Sequence, residues 1–396
     1  MSQPLLMIPG PIEVSPGVLE AFSVKPPSHV APHVIEAFGR SLEMMREVWC
    51  AGPDSQPFVV AGSGTLAMEM AATNLMEPGD HAALVHTGYF SERMAEMLRR
   101  RGVTVHEARA PLGEVPSLDE VAAAFDRAPG PVKALFATHV DTSTGVRVDP
   151  QALAALATER GALSVFDGVC ATAGDAFEMA AWGADVYVTG SQKAIGLPPG
   201  LAMLVASARA MAAREALSTP PPMSLDYDQW APIMRAYEER RPSYFATPAT
   251  NLVLAMERGL HEIVTDTFEG ASGARARFAR HARVAGAMRA AWSALGLTLL
   301  PARAEIAANT LSAITYPEGV GPTLPKAIGA AGAIVAGGLH PELKTTYFRV
   351  GHMGYAVTRP DWLARTVAAV EAGLTEAGHA FEPGAGVAAL RAALEG

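Results

Sequence analysis

The stretch "VTGSQKAIGLPPG", Val188 to Gly200, decides how the chain is read. It begins as the end of a β-branched run, Val186-Tyr187-Val188-Thr189, and stops at Gly190. Ser191, Gln192 and Lys193 follow, then Gly196 and Pro198-Pro199-Gly200. A second apolar run, Leu201 to Ala206, comes next. The composition therefore places a lysine on a glycine- and proline-shaped turn at the end of a buried strand. A lone lysine is ordinarily a surface residue. One held on such a turn and partly desolvated becomes a nucleophile able to form a Schiff base.

Working outward, short apolar runs alternate with capped helices. Strands are expected at Pro57–Ala61, His81–His86, Val103–Glu107, Val132–Thr138, Leu163–Phe166, Val186–Thr189 and Leu201–Ala206. Between them, a helix spans Thr65–Met76, and another opens at Ser91 and runs through Arg99-Arg100-Arg101 to Gly102. Ser117 to Glu120 spells a capping box, and Asp149-Pro150 opens a helix that ends at Gly161. This alternation means an α/β domain with a mainly parallel sheet. After about residue 207 the pattern changes. Helices are expected at Asn251–Val264, Phe268–Leu295 and Pro360–Ala377, with strands at Leu297–Pro301, Thr310–Tyr316 and Tyr347–Val350. That reads as a smaller C-terminal α+β domain. The division expected is an N-terminal segment 1–20, a large domain 21–264 and a small domain 265–396.

The chain has 396 residues, 49% hydrophobic and 18% charged, which is enough for two packed domains. A formal net charge of -9 argues against nucleic acid or an anionic membrane as partner. Two cysteines do not make a disulfide scaffold and fit a reducing compartment. No apolar run is long enough to span a bilayer, and neither end carries a targeting signal, so a cytoplasmic protein is expected. His29 and His33 are not read as metal ligands, and no other grouping has metal-ligand spacing.

Ligands of open α/β sheets sit beyond the carboxyl ends of strands. Beside His139 to Gly145 (HVDTSTG), which follows one strand, three candidates stand there. Gly62-Ser63-Gly64-Thr65 opens a helix after the first strand, where backbone N–H groups and the dipole favour an anion. A plain helix-opening turn has the same composition. The stretch also fits G-x-G-x-x-A through Ala67, but the second strand closes on His86-Thr87 rather than on the acidic residue a dinucleotide site wants. Asp167 ends the run LSVFD, as either a turn residue or a buried carboxylate needing a partner. Lys193 is the third. Pyridoxal phosphate needs these three together: a phosphate cradle, a carboxylate at the ring nitrogen and a Schiff-base lysine.

With these residues in place, the chain resembles the class V, fold-type I aminotransferases of the alanine–glyoxylate and serine–glyoxylate kind. The resemblance rests on Pro9-Gly10-Pro11, GSGTLAMEMAATNLMEPGD from Gly62, DTSTGV from Asp141, Asp167, GSQKAIGLPPG from Gly190 and YFRVGHMG from Tyr347. It implies that Lys193 is the Schiff-base lysine and that Asp167 faces the pyridine nitrogen. Ser63, Gly64, Thr65 and Gln192 would hold the phosphate. Phe90 would stack on the ring, Thr142 would lie near the ring oxygen, and Arg349 would grip the substrate's α-carboxylate. Tyr244 and Thr247 match a segment that reaches the cofactor of the other subunit, which implies a homodimer with shared active sites. The implied reaction moves an amino group from alanine or serine to glyoxylate or another small 2-oxo acid by ping-pong kinetics.

Gly168 to Thr172 departs from the family's usual serines, with Cys170 and Ala171 in their place, and bears on substrate choice. The alternative within the scaffold is a 2-aminoethylphosphonate–pyruvate transaminase. A cysteine desulfurase is set aside because Cys50 and Cys170 both precede Lys193. A kynureninase-like hydrolase fits GSQK and FRVGHMG less well. A non-catalytic relative is disfavoured by the retained lysine, aspartate and arginine.

Overall fold

The computed structural model describes residues 3–395. Seven strands build the main sheet: β1 (Gln56–Ala61), β2 (His81–His86), β3 (Thr104–Arg109), β4 (Val132–Thr138), β5 (Leu163–Asp167), β6 (Val186–Gly190) and β7 (Leu201–Ala206). Their order is β1-β7-β6-β5-β4-β2-β3. β7 runs antiparallel to both β1 and β6, and every other pair is parallel. The sheet is therefore mixed, with a single reversed strand. β5, β6 and β7 are buried along their whole length, which is why their sequences run apolar without alternation.

The local signals act as their chemistry demands. Ser117 accepts the Glu120 N–H while the Glu120 carboxylate accepts the Ser117 N–H. Asp149 caps Ala152 ahead of the helix Pro150–Glu159. Three expectations are corrected. The helix expected to open at Ser91 is Tyr89–Arg100, because the Asp141 carboxylate accepts the Phe90 and Ser91 N–H groups from across the fold. The Ser91 hydroxyl instead accepts the Thr87 and Gly88 N–H groups from inside the first turn. The helix expected from Phe268 begins at Gly273. Ahead of it, Thr267–Phe268 and Ala271–Ser272 form a hairpin about Glu269 and Gly270, whose φ angles are 50° and 82°. In the stretch 297–301, Leu299 makes an isolated bridge to Ile314 rather than a strand.

A smaller antiparallel sheet follows, made of β8 (Leu311–Thr315), β9 (Ala336–Gly337) and β10 (Tyr347–Gly351) in the order β8-β10-β9. Its core joins Met288, Trp292, Ile314, Phe348 and Val367 with Leu5 and Met7 from the start of the chain. Leu5–Leu6 pairs in parallel with Ala333–Ile334, and Met7 accepts the Gly351 N–H. The next residues, Pro9-Gly10-Pro11, are thereby carried from the small sheet across to the end of β6. Among the described residues no helix is long and apolar enough to cross a membrane.

Candidate active site

The carboxyl ends of the parallel strands open into a cavity of about 170 Å³. Eight of the expected residues line it: Ser63, Gly64, Thr65, Phe90, Thr142, Asp167, Gln192 and Lys193. They come from the carboxyl end of β5 and from the loops and helix starts after β1, β2, β4 and β6, so one sheet edge gathers what the sequence scatters over 130 positions (193 − 63).

The turn carrying Lys193 reverses the chain from β6 into antiparallel β7. Ser191 is its brace: Oγ donates to the Pro198 carbonyl at 2.7 Å and accepts the Leu201 N–H at 3.1 Å. Gly196 supplies a φ of 82°. Lys193 is 8% exposed, and its Nζ donates to the Pro9 carbonyl. Burial holds its amine below the usual lysine range; Cys170 and Asp167 oppose that shift and Arg349 adds to it. Gly10 crosses directly over this side chain at φ 95°, where a Cβ would lie 2.5 Å from Lys193 Cδ. The crossing strap thus requires glycine.

Asp167 is 2% exposed. Its Oδ1 accepts the Val169 N–H at 2.9 Å, while Oδ2 makes no hydrogen bond among the described residues. Burial pushes its carboxyl up to about 7; the Val169 bond, Lys193 and Arg93 oppose that shift, and Asp141 adds to it. Behind it, the His139 imidazole shares a 2.8 Å hydrogen bond with the Tyr187 hydroxyl, and burial drives its pKa down to about 3, so the ring is neutral.

Ser63 is the N-cap of the helix Gly64–Leu75, yet its side chain caps none of the first-turn N–H groups. Those donors are left for a ligand. Gly64 is forced by packing, since a Cβ there would meet Val169 Cγ2 at 2.5 Å. The residues fit pyridoxal phosphate on these observations. A half-satisfied buried carboxyl suits a protonated ring nitrogen, an uncapped helix N-terminus suits a phosphate, and a desolvated amine suits an aldehyde.

Arg349, on β10, is buried and does not itself line this cavity; it is tied to the lining residue Thr142. Its Nε donates to the Gly337 carbonyl at 2.9 Å and its Nη1 to the Thr142 carbonyl at 3.1 Å, while Nη2 is uncommitted among the described residues. Tyr244 and Thr247 are not brought to the Lys193 cavity of their own chain. Tyr244 is 64% exposed, with its hydroxyl 3.4 Å from Thr247 Oγ1. Thr247 borders a separate, larger cavity among Phe38, Trp230 and Tyr237 that carries no charged side chain.

Sequence reasoning missed four contributors. Pro9 and Gly10 appeared only inside a quoted motif, and no local pattern shows that they cover Lys193. Asp141 anchors the first turn of the helix bearing Phe90. Arg93 lines the cavity, and its spacing from Tyr89 and Phe90 would have shown it had the helix been started at Tyr89. Of the residues replacing the family's serines, Cys170 reaches the cavity, with Sγ 3.6 Å from Thr310 Oγ1. The Thr172 hydroxyl turns away to the Gly168 carbonyl.

Known proteins resemble this chain in sequence and fold. The family Aminotransferase class-V matches residues 29–260. An alanine–glyoxylate aminotransferase of Saccharomyces cerevisiae is 33% identical, over 88% of this chain and 91% of its own length. An L-aspartate–glyoxylate aminotransferase of Paracoccus denitrificans is 32% identical, over 98% of this chain and 96% of its own. The crystal structure of an alanine–glyoxylate aminotransferase from Nostoc sp. superposes with a TM-score of 0.84 at 30% identity, covering 94% of this chain and 96% of that one. Sequence motifs, sheet topology and these relatives agree: the chain belongs to the class-V aminotransferases, the fold-type I enzymes that transaminate with pyridoxal phosphate.

Proposed function

We propose that the protein moves an amino group from alanine or serine to glyoxylate or another small 2-oxo acid in two half-reactions at the Lys193 cavity. The observation that carries this reading is the meeting of Lys193, Asp167 and the uncapped Ser63-Gly64-Thr65 turn in one cavity, with Arg349 tied to its edge through Thr142. The relatives' names add a direction, since glyoxylate is shared by all three of them while the donor differs.

When bound, pyridoxal phosphate supplies an electron sink for the substrate's α-carbon. The chain does the rest. Ser63, the Gly64 and Thr65 amides, the Thr65 hydroxyl and Gln192 hold the phosphate. Asp167 accepts the ring N–H and keeps that proton in place. Phe90 would stack on the ring, and Thr142 would lie near the ring oxygen. The Lys193 amine, whose pKa burial lowers from the usual lysine range, would take the proton from the α-carbon and return it at C4′. Arg349 pairs with the α-carboxylate and so points the α-hydrogen at Lys193. Tyr244 and Thr247 complete the phosphate site of a second copy in a homodimer, a role supported by their exposure and their distance from their own chain's cavity. The two unpaired cysteines support a cytoplasmic location.

The test is a spectral half-reaction on the purified holoprotein with one amino compound at a time. Alanine or serine is expected to bleach the visible cofactor band and raise that of pyridoxamine phosphate. A response to 2-aminoethylphosphonate alone would transfer the assignment to the phosphonate enzymes. The absence of any visible band after cofactor addition would remove the reading altogether.

Arg349→Ala is expected to raise KM for alanine and serine by about 10- to 100-fold, the size of a lost charge-assisted pair. Steady-state kinetics check this. Unchanged KM for both donors would mean the carboxylate is held by another group.

A further inference from the structure

Arg93 has no part in the roles assigned above. It lies one turn into the helix Tyr89–Arg100 and borders the Lys193 cavity. Its guanidinium carbon sits 4.9 Å from the Tyr89 ring centre and 5.3 Å from that of Phe90. Nη2 donates to the Tyr89 hydroxyl at 2.8 Å, and Nη1 donates to Thr65 Oγ1 at 3.2 Å. The nearest carboxylates of its own helix are engaged elsewhere, Glu92 with His86 and Glu96 with Arg100. Two aromatic faces and two hydroxyls thus hold a cation that pairs with no carboxylate among the described residues.

The contact with Thr65 has a direction. A guanidinium only donates, whereas a hydroxyl has one hydrogen to give and lone pairs to receive. Arg93 therefore occupies a lone pair of Thr65 Oγ1 and leaves its hydrogen free. That hydrogen goes to no protein acceptor among the described residues. Thr65 stands in the first turn of an uncapped helix, where an anion is favoured. We propose that Arg93 is a positioning residue that fixes the Thr65 hydroxyl as a donor to the cofactor phosphate and places positive charge behind it. The proposal rests on the pyridoxal phosphate reading and specifies which part of the cofactor Arg93 serves.

The experiment compares dissociation constants of pyridoxal phosphate and of pyridoxal, which has the same ring and aldehyde without the phosphate. Both are measured by titrating cofactor-stripped protein, unsubstituted and as Arg93→Gln, Arg93→Lys, Thr65→Val and the Arg93→Gln/Thr65→Val double variant. Arg93→Gln is expected to weaken pyridoxal phosphate about tenfold and pyridoxal by less than about twofold. Arg93→Lys should recover part of the loss. The double variant should lose less than the product of the two single losses, because both substitutions disable the same Thr65 donor. Equal weakening of pyridoxal would show that Arg93 acts through Phe90 stacking, and multiplied losses in the double variant would show that it does not act through Thr65. Either result overturns the proposal alone. Failure of the unsubstituted protein to take up pyridoxal phosphate would overturn the parent reading with it.

Discussion

Lys193→Ala is expected to abolish transamination, by roughly 10³-fold or more in kcat, while leaving the fold intact. The two halves of that expectation have separate causes. The turn from β6 to β7 is shaped by Ser191, which binds Pro198 and Leu201, and by the Gly196 turn, none of which needs the lysine side chain. The amine itself donates to the Pro9 carbonyl and to nothing else among the described residues, so its removal strands one acceptor and no charge. The chemistry, by contrast, has no substitute. No other lysine borders the cavity, and the remaining titratable groups there are Asp167, Cys170 and Arg93. Positioned proton transfer alone contributes about 10²–10⁴-fold, and the covalent attachment of the cofactor is lost as well. Circular dichroism should be unchanged, the visible cofactor band should be shifted or absent, and turnover should vanish. Ordinary steady-state turnover by this variant would end the assignment.

The strands that carry the site were legible because they are buried on both faces and end in chemically odd residues. LSVFD closes on a carboxylate, and VYVTG closes on a glycine before a lysine. Legibility ended where structure depends on distant partners. Leu201–Ala206 reads as any apolar strand, and composition gives it no direction. Its insertion, antiparallel, between β1 and β6 follows from the tight turn and from pairing with Gln56–Ala61. The start of the helix carrying Phe90 depends on Asp141, fifty residues on, so local capping rules put it two residues late. That same displacement hid Arg93, which shares a helix face with Tyr89 and Phe90. Pro9 and Gly10 could not be placed over Lys193 because the strap reaches there through pairing of Leu5–Leu6 with Ala333–Ile334, at the opposite end of the chain.

Asp167→Asn is expected to cost roughly 10²–10³-fold in turnover and yet to stabilise the cofactor-free protein at pH 8. The sign follows from proton linkage. Burial lifts the folded-state carboxyl from its ordinary 3.8 to about 7. Between those values the folded chain keeps a proton that the unfolded chain has released. The contribution of Asp167 to stability is therefore complete below about pH 4 and is lost as pH rises toward 7. Asparagine has nothing to lose and can still accept the Val169 N–H. Asp141, Asp175 and Asp185 are raised by burial too, but they remain in both proteins, so the difference between the two isolates Asp167. Thermal melts of the stripped proteins should coincide near pH 4, with the variant melting a few degrees higher at pH 8. Adding pyridoxal phosphate should reverse the order, because a protonated ring nitrogen gives the carboxylate the partner it lacks and binding favours the folded state. If the stripped variant is no more stable at pH 8, then Lys193 or Arg93 already neutralises Asp167, and the cavity does not hold a carboxylate in wait for a pyridinium.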